Sequence, residues 1–306
     1  MTESQKSAAS VIICSRNRPT LLKEAVLSII EGDELPEEIV IVDQSDDPDA
    51  ALASETFSTK CVIRYVWTQT VGLSRAINLG VAKAAHDLLV FTHDDVLVRQ
   101  DWFSVCRRML IEKGDRWVIT GRVLPGEPEV GGGFNLSTIT DETPRTYRER
   151  EGIEVLFPMN MAMYRSTFDT VGGFDERIGP GTSYPAAEDN DFCFRLLESG
   201  FCIAYEPEMV VRHRAWRSID DYADLRYHYG RGQGAYYAKH MSLRDPYMLR
   251  RMMQDVRQRL GAIRSTPPSP KRRGTARYLL GIASGMGRWF LKGRFQPARN
   301  PSSREA

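Results

Sequence analysis

The sequence predicts an α/β fold in which a mostly parallel sheet is covered by helices on both faces and followed by further C-terminal helices. Three observations lead there. Short, near-continuous apolar runs at Val11–Cys14, Ile39–Val42, Leu88–Phe91 and Val118–Val123 read as strands buried on both faces. Longer stretches between them carry apolar residues at helical spacing. Polar residues gather where the runs end, and open α/β sheets bind ligands outside the carboxyl ends of their strands.

Taken in order, Val11–Cys14 is the first strand, and Pro19 opens a helix to about Glu31, since proline suits the first helical position. Ile39–Val42 and Ile63–Trp67 are strands, Leu73–Ala85 a helix, and Leu88–Phe91 a strand that runs into Thr92-His93-Asp94-Asp95. Trp102–Glu112 and Val118–Val123 continue the alternation. The segment 125–154 is rich in Gly, Pro, Thr and charge and reads as an irregular insertion. Arg165–Val171 is a short helix closed by Gly172-Gly173, and Glu188 to Ser199 is a helix capped by Gly200. Strands near Ile203–Tyr205 and Met209–Val211 come next, followed by helical stretches Ile219–His240 and Pro246–Arg264. Thr266-Pro267-Pro268-Ser269-Pro270 reads as a linker.

The chain has 306 residues with 42% hydrophobic and 26% charged, ordinary for a soluble enzyme-sized protein, and a net charge of +1, which gives no reason to expect a nucleic-acid partner. The charge is uneven: from Pro267 onward nine Lys or Arg face a single acid, Glu305. Five cysteines without a Cys-x-x-Cys pair argue against a disulfide framework and fit a reducing cytoplasm. No apolar run approaches the roughly 18 residues of a spanning helix.

Four constellations carry chemistry. Asp94 and Asp95 are adjacent carboxylates at a strand end, which repel unless counter-charged. A divalent cation would meet that need, and a solvated acidic turn is the plain alternative. Glu188-Asp189-x-Asp191 places three acids in a first helical turn, more than capping requires, and a carboxylate within reach of an acceptor hydroxyl can serve as general base. Arg212-His213-Arg214-Ala215-Trp216-Arg217 is a basic cluster after a strand, suited to a diphosphate. Asp43 ends the second strand, where an acid can accept from a base or ribose or simply cap a turn.

The order of these motifs is more specific than any one of them. From Ala9 to about Arg217 the chain resembles the family 2 glycosyltransferases, inverting enzymes of the GT-A fold. Val-Ile-Ile-Cys-Ser-Arg-Asn-Arg-Pro (11–19), Ile39-Val40-Ile41-Val42-Asp43, Gly72-Leu73-Ser74-Arg75-Ala76-Ile77-Asn78, Thr92-His93-Asp94-Asp95-Val96, Val171-Gly172-Gly173-Phe174-Asp175-Glu176 and Glu188-Asp189 carry the resemblance. It implies catalysis by Asp189 as base with Glu188 beside it. It implies donor contacts at Ser15, Asn17, Asp43, Gly72, Arg75, Asp94, Arg212 and Arg217, and metal ligation by Asp95 with His213 and His93. His93 stands where the first Asp of the family's metal motif is usual, and imidazole suits manganese better than magnesium. Ile77 stands where many relatives carry Arg. The Gln-x-x-Arg-Trp motif of processive polymerases is absent, which points to transfer of one sugar.

The expected domains are a GT-A catalytic domain over 1–240, a helical extension over 241–266, and a proline linker with a basic amphipathic tail over 267–306. The expected cofactor is a divalent metal, Mg or Mn. The donor is a nucleotide-diphosphate sugar and the acceptor a hydroxyl-bearing glycan or a lipid-linked one. Rival readings are a nucleotidyltransferase, weakened by the absence of glycine in Ser15-Arg16-Asn17-Arg18-Pro19, and a non-catalytic nucleotide-sugar-binding module. The tail either lies on an anionic membrane surface, at the inner face of a membrane, or packs as a helix on the protein's own apolar surface.

Overall fold

The computed structural model describes residues 8–49, 61–128, 133–135, 137–151 and 155–292. Its centre is one sheet in the order β3-β2-β1-β4-β8-β6-β9-β5, where β1 is Ala9–Ser15, β2 Glu38–Asp43, β3 Val62–Trp67, β4 Leu88–His93, β5 Val96–Val98, β6 Trp117–Pro125, β8 Met161–Tyr164 and β9 Cys202–His213. A short β7, Arg145–Tyr147, pairs with β9 outside that order. Strands β1 to β4 are mutually parallel, β8 runs against β4 and β6, and β6 and β9 are again parallel.

The apolar runs behave as their composition requires. All seven residues of β1 and all six of β2 are buried, so both faces of the sheet are covered. Helix α1, Pro19–Ile30, begins on its proline and turns Leu22, Ala25, Val26 and Ile29 inward, one helical stripe. Helices α2 (Leu73–Lys83), α3 (Trp102–Lys113), α4 (Ser166–Val171) and α5 (Glu188–Glu198) complete the two covering layers.

The expected strands at 203–205 and 209–211 are one strand, β9. Its pairing with β6 jumps from Gly121↔Glu206 to Arg122↔Val210, a bulge at the Glu206-Pro207-Glu208 interruption that divides the sequence pattern. Three strands, β5, β7 and β8, lie outside the sequence-based expectation.

The C-terminal third folds as α6 (Tyr222–His240), α7 (Tyr247–Ser265) and α8 (Pro270–Lys292). The stretch expected to be linker and tail is therefore mostly a helix, and it lies along α6. Gly230 and Gly234 of α6 face the backbone of Tyr278 and Ile282, while Gly281 and Gly285 of α8 face that of Tyr227 and Arg231. At each of these glycines a β-carbon would press into a backbone carbonyl or its neighbours. Of the two readings of the tail, the self-packed helix describes 270–292; residues 293–306 lie outside the described residues.

Candidate active site

Parallel pairing brings the carboxyl ends of β1, β2 and β4 to one rim, with Ser15 opposite Asp43 and Cys14 opposite His93. Asp94 and Asp95 follow at the turn into β5. Asp94 accepts a hydrogen bond from Ser15 Oγ at 2.8 Å. One guanidinium nitrogen of Arg18 lies 3.2 Å from Asp94 and 3.0 Å from Asp95, so the counter-charge that the sequence reading assigned to a cation is supplied in part by Arg18. Burial and the neighbouring Asp95 raise the Asp94 pKa to about 6 against the pull of Arg18. Burial alone would also raise Asp95, but its neighbours His213, His93 and Arg18 together hold it below the usual carboxylate range.

Antiparallel pairing of β5 with β9 sets Val96 opposite His213 and delivers the imidazole to Asp95. His213 Nδ1 lies 3.2 Å from the carbonyl oxygen of Ser137 and Nε2 lies 3.6 Å from Asp95 Oδ1. A ring nitrogen bonds a carbonyl only as a donor, so Nδ1 carries the proton. Nε2, the other ring nitrogen, faces the Asp95 carboxylate. That arrangement calls for a cation between them or a second ring proton. It also matches the usual support of metal-bound histidine, whose other N–H is donated to a carbonyl. His93 is held neutral, its pKa lowered to about 4 chiefly by burial, and its buried Nε2 has no hydrogen-bond partner. Among the described residues no cluster of three or more His, Cys, Asp or Glu side chains has the geometry to hold a metal alone. Two protein donors with substrate phosphates and water nonetheless suit Mg or Mn, which keep much of their shell non-protein.

Glu188 and Asp189 open α5, preceded by Ala187 in a left-handed conformation at φ 72°. Glu188 is buried and Asp189 half-buried, and both line the same cleft as Ser15, His93, Asp94, Asp95 and His213, a space of about 700 Å³. The third acid of the motif is separate. Asp191 has no exposure and meets Lys239 Nζ at 2.6 Å, His240 Nε2 at 2.7 Å and Arg195 Nε at 3.0 Å. The Gly179-Pro180-Gly181 loop joins this region to the donor-side segment: Leu73 N donates to the Pro180 carbonyl at 3.0 Å, and Gly72, with φ 131°, donates its N–H to Gln44 Oε1 at 3.1 Å.

Other expected residues are placed as follows. Asp43 is buried, accepting from Tyr65 Oη at 2.6 Å and Ser45 N at 2.8 Å, and lines a smaller adjoining space with Ser15 and Asn17. Asn17, at φ 56°, accepts from Asp46 N at 3.0 Å and so ties the β1–α1 turn to the loop after β2. Gly72 and Arg217 line the main cleft. Two of the expected donor contacts lie outside the cleft lining. Arg212 is exposed and does not line the cleft, because alternation along β9 turns it away from His213. Arg75 is likewise absent from the lining; its Nε sits 3.4 Å from Glu176 Oε2. Sequence reasoning assigned no role to Arg18, although it lies within the 11–19 motif, and missed the insertion residues Phe134, Asn135 and Ser137, which reach the cleft. It also missed the wall supplied by α6, α7 and α8.

Comparison with known proteins fits this geometry. The profile of Glycosyl transferase family 2 matches residues 10–172. The chain belongs to that family. Family 2 enzymes transfer sugars, and the described architecture is their GT-A fold. Among curated relatives, the O-antigen chain rhamnosyltransferase RfbN of Salmonella typhimurium is 26% identical over 216 residues, 67% of this chain and 65% of the relative. The pre-mycofactocin glycosyltransferase of Mycobacterium tuberculosis is 26% identical over 185 residues, 58% of this chain and 37% of the relative, so this chain spans little more than a third of its length. Among solved structures, TarS residues 1–349 of S. aureus aligns with TM-score 0.55 at 14% identity, over 94% of this chain and 73% of that one. The mannosyltransferase PcManGT of Pyrobaculum calidifontis, solved with GDP-Man and Mn2+, aligns with TM-score 0.54 at 14% identity, over 94% and 76%.

Proposed function

We propose that this family 2 enzyme transfers a single sugar, with inversion, from a nucleotide-diphosphate donor to the hydroxyl of a glycan or lipid-linked acceptor in glycan or cell-envelope synthesis. The observation that carries this reading is that Asp189 and the Asp94–Asp95–His213 group face one cleft from the α5 start and from the strand rim.

The chemistry divides between those two groups. Asp189, half-buried beside the cleft, takes the proton from the acceptor hydroxyl as its oxygen bonds to the anomeric carbon. The bond from that carbon to the diphosphate oxygen breaks at the same time, and the nucleotide diphosphate leaves with the electron pair. One displacement inverts the anomeric centre. Asp43 and Asn17, around the smaller space, hold the nucleoside, while Arg18 and Arg217 face the diphosphate. Asp95 and His213 would hold Mn or Mg, with the unpartnered His93 nearby, and the bound cation supplies charge neutralisation at the leaving phosphates. Manganese with GDP-Man in PcManGT, and manganese with UDP and GalNAc in the solved structure of GalNAc-T7, support this assignment. We place the enzyme in the cytoplasm, attached to the inner face of a membrane.

The test is a panel of UDP-, GDP- and TDP-sugars with Mn2+. The matching donor raises the melting temperature by mass action and releases its nucleoside diphosphate when acceptor is added. A chain that no nucleotide sugar stabilises would not be this enzyme.

A further inference from the structure

The wall of the cleft built by the C-terminal helices differs in charge from the rest. The acids lining the cleft, Asp94, Asp95, Glu188 and Asp189, come from the turn after β4 and the start of α5; α6, α7 and α8 contribute none. They contribute Arg226 and Arg259 instead, with Tyr229, Gln233 and Tyr278 between.

These residues are ordered along the cleft. Arg226, Tyr229 and Gln233 fall at i, i+3 and i+7 on one face of α6. Gln233 Oε1 accepts from Asn190 Nδ2 at 3.1 Å, which anchors that end of the face beside Glu188 and Asp189. Tyr229 follows, its phenol close enough to Ser137, Glu188, Asp189 and Arg217 to be influenced by each. Arg226 lies two turns from Gln233, about 10 Å along the axis at 1.5 Å per residue. There its guanidinium carbon sits 4.5 Å from the Tyr278 ring centre, and that of Arg259 sits 3.8 Å from the same centre. Arg259 pairs with Asp255 at 2.7 Å, whereas Arg226 has no carboxylate partner among the described residues. Two guanidiniums against one ring, with one acid between them, leave an uncompensated cation facing the cleft.

We infer that the α6–α8 wall is the acceptor subsite and that Arg226 and Arg259 grip an anionic group on the acceptor, a phosphate or a carboxylate, while the reacting hydroxyl lies at Asp189. The inference rests on the glycosyltransferase reading above. A forked guanidinium matches both oxyanions in a two-bond geometry, and a neutral glycan has nothing to set against this charge. The spacing along α6 separates the anion from the reacting hydroxyl by the length of a short oligosaccharide. Arg226 and Arg259 are specificity-determining residues in this scheme, remote from the reacting atoms.

The probes are glucose, glucuronic acid and glucose 6-phosphate, titrated into the full chain and followed by NMR. At least one of the two anionic sugars binds about tenfold or more tightly than glucose, the scale of one charge-assisted hydrogen bond. The better of the two names the oxyanion. Arg226→Ala abolishes the preference and Arg226→Lys keeps part of it, with melting temperatures recorded to show that each variant is folded. Equal binding of all three sugars to the wild-type chain, or a preference that survives in both Arg226→Ala and the Arg226→Ala/Arg259→Ala double variant, overturns the assignment. Failure of the underlying reading looks different: no nucleotide sugar stabilises the wild-type chain, whatever these titrations show.

Discussion

At the start of α5, Asp189 is half-buried on the cleft while Asp191, two residues on, has no exposure and meets Lys239, Arg195 and His240. Nothing local to the motif separates them. Lys239 and His240, which claim Asp191, arrive from the far end of α6, so the sequence reads three acids as one group. Despite burial, Lys239, Arg195 and His240 hold the Asp191 carboxyl far below its usual range, and Arg177 and Lys239 lower that of Asp175. A depressed folded pKa contributes stability that is whole above the unfolded value near pH 4 and is lost as pH falls below it. Asp191→Asn is therefore expected to cost about 3–5 kcal/mol at pH 7, because it leaves buried cations uncompensated. Melting temperatures from pH 7 to pH 3 check this, and the variant's curve is the flatter of the two. Asp189→Asn tests the other acid: turnover falls about 10²-fold or more while donor binding persists. Near-native turnover would remove Asp189 from the role of base. Asp95→Ala gives a third separation, weakening donor binding in Mn2+ far more than in its absence, as titration at both conditions would register.

At the scale of elements, the strands buried on both faces and the stripe-bearing helices were legible, because each carries its own periodicity. The short strands β5, β7 and β8 were not. Met161–Tyr164 is four residues and owes its strand state to β4 and β6 on either side, information no local window holds. The same holds for the candidate site. The strand-end residues Asp43, Asp94 and Asp95 were marked by position alone and Ser15 by the family resemblance, whereas the arginine wall depends on three helices meeting. The glycines of α8 illustrate the point most directly. Read singly, Gly281 and Gly285 weaken a helix; paired with Gly230 and Gly234 they let α6 and α8 approach until backbone faces backbone. Gly234→Leu has no room against the Ile282 carbonyl, and over-packing of this kind costs about 1–3 kcal/mol. Gly287→Leu is the matched control on the same pair of helices. A β-carbon added at Gly287 would meet nothing within 4 Å, so this variant should leave chemical denaturation midpoints nearly unchanged.

At the scale of the whole molecule, the packing of α8 changes how membrane attachment must be tested. Among the described residues no helix is long and apolar enough to cross a membrane, and the attachment to be tested is a surface contact. Deleting everything after Ser265 would strip Tyr278, Ile282 and Trp289 from the core they help fill, and any loss of binding would then report unfolding. The residues to change are those α8 leaves outside. Leu280 is 59% exposed and Leu291 78% exposed, among the exposed Arg273, Arg288 and Lys292. Helix α7 adds Leu249, Met253 and Leu260, all exposed, beside exposed Arg250, Arg257 and Arg264. Exposed apolar side chains together with exposed cations on the same helices suit an anionic lipid surface, where each Lys or Arg contributes about 1 kcal/mol and the sum is salt-sensitive. The full chain is expected to pellet with vesicles containing phosphatidylserine at low salt and to be released at high salt, where the Debye length falls to about 3 Å near 1 M. Leu280→Glu/Leu291→Glu, which leaves the buried face of α8 intact, should pellet much less at low salt. Equal pelleting of the two proteins, or none by the wild-type chain, would mean that this face stays in water and that the enzyme reaches its acceptor without it.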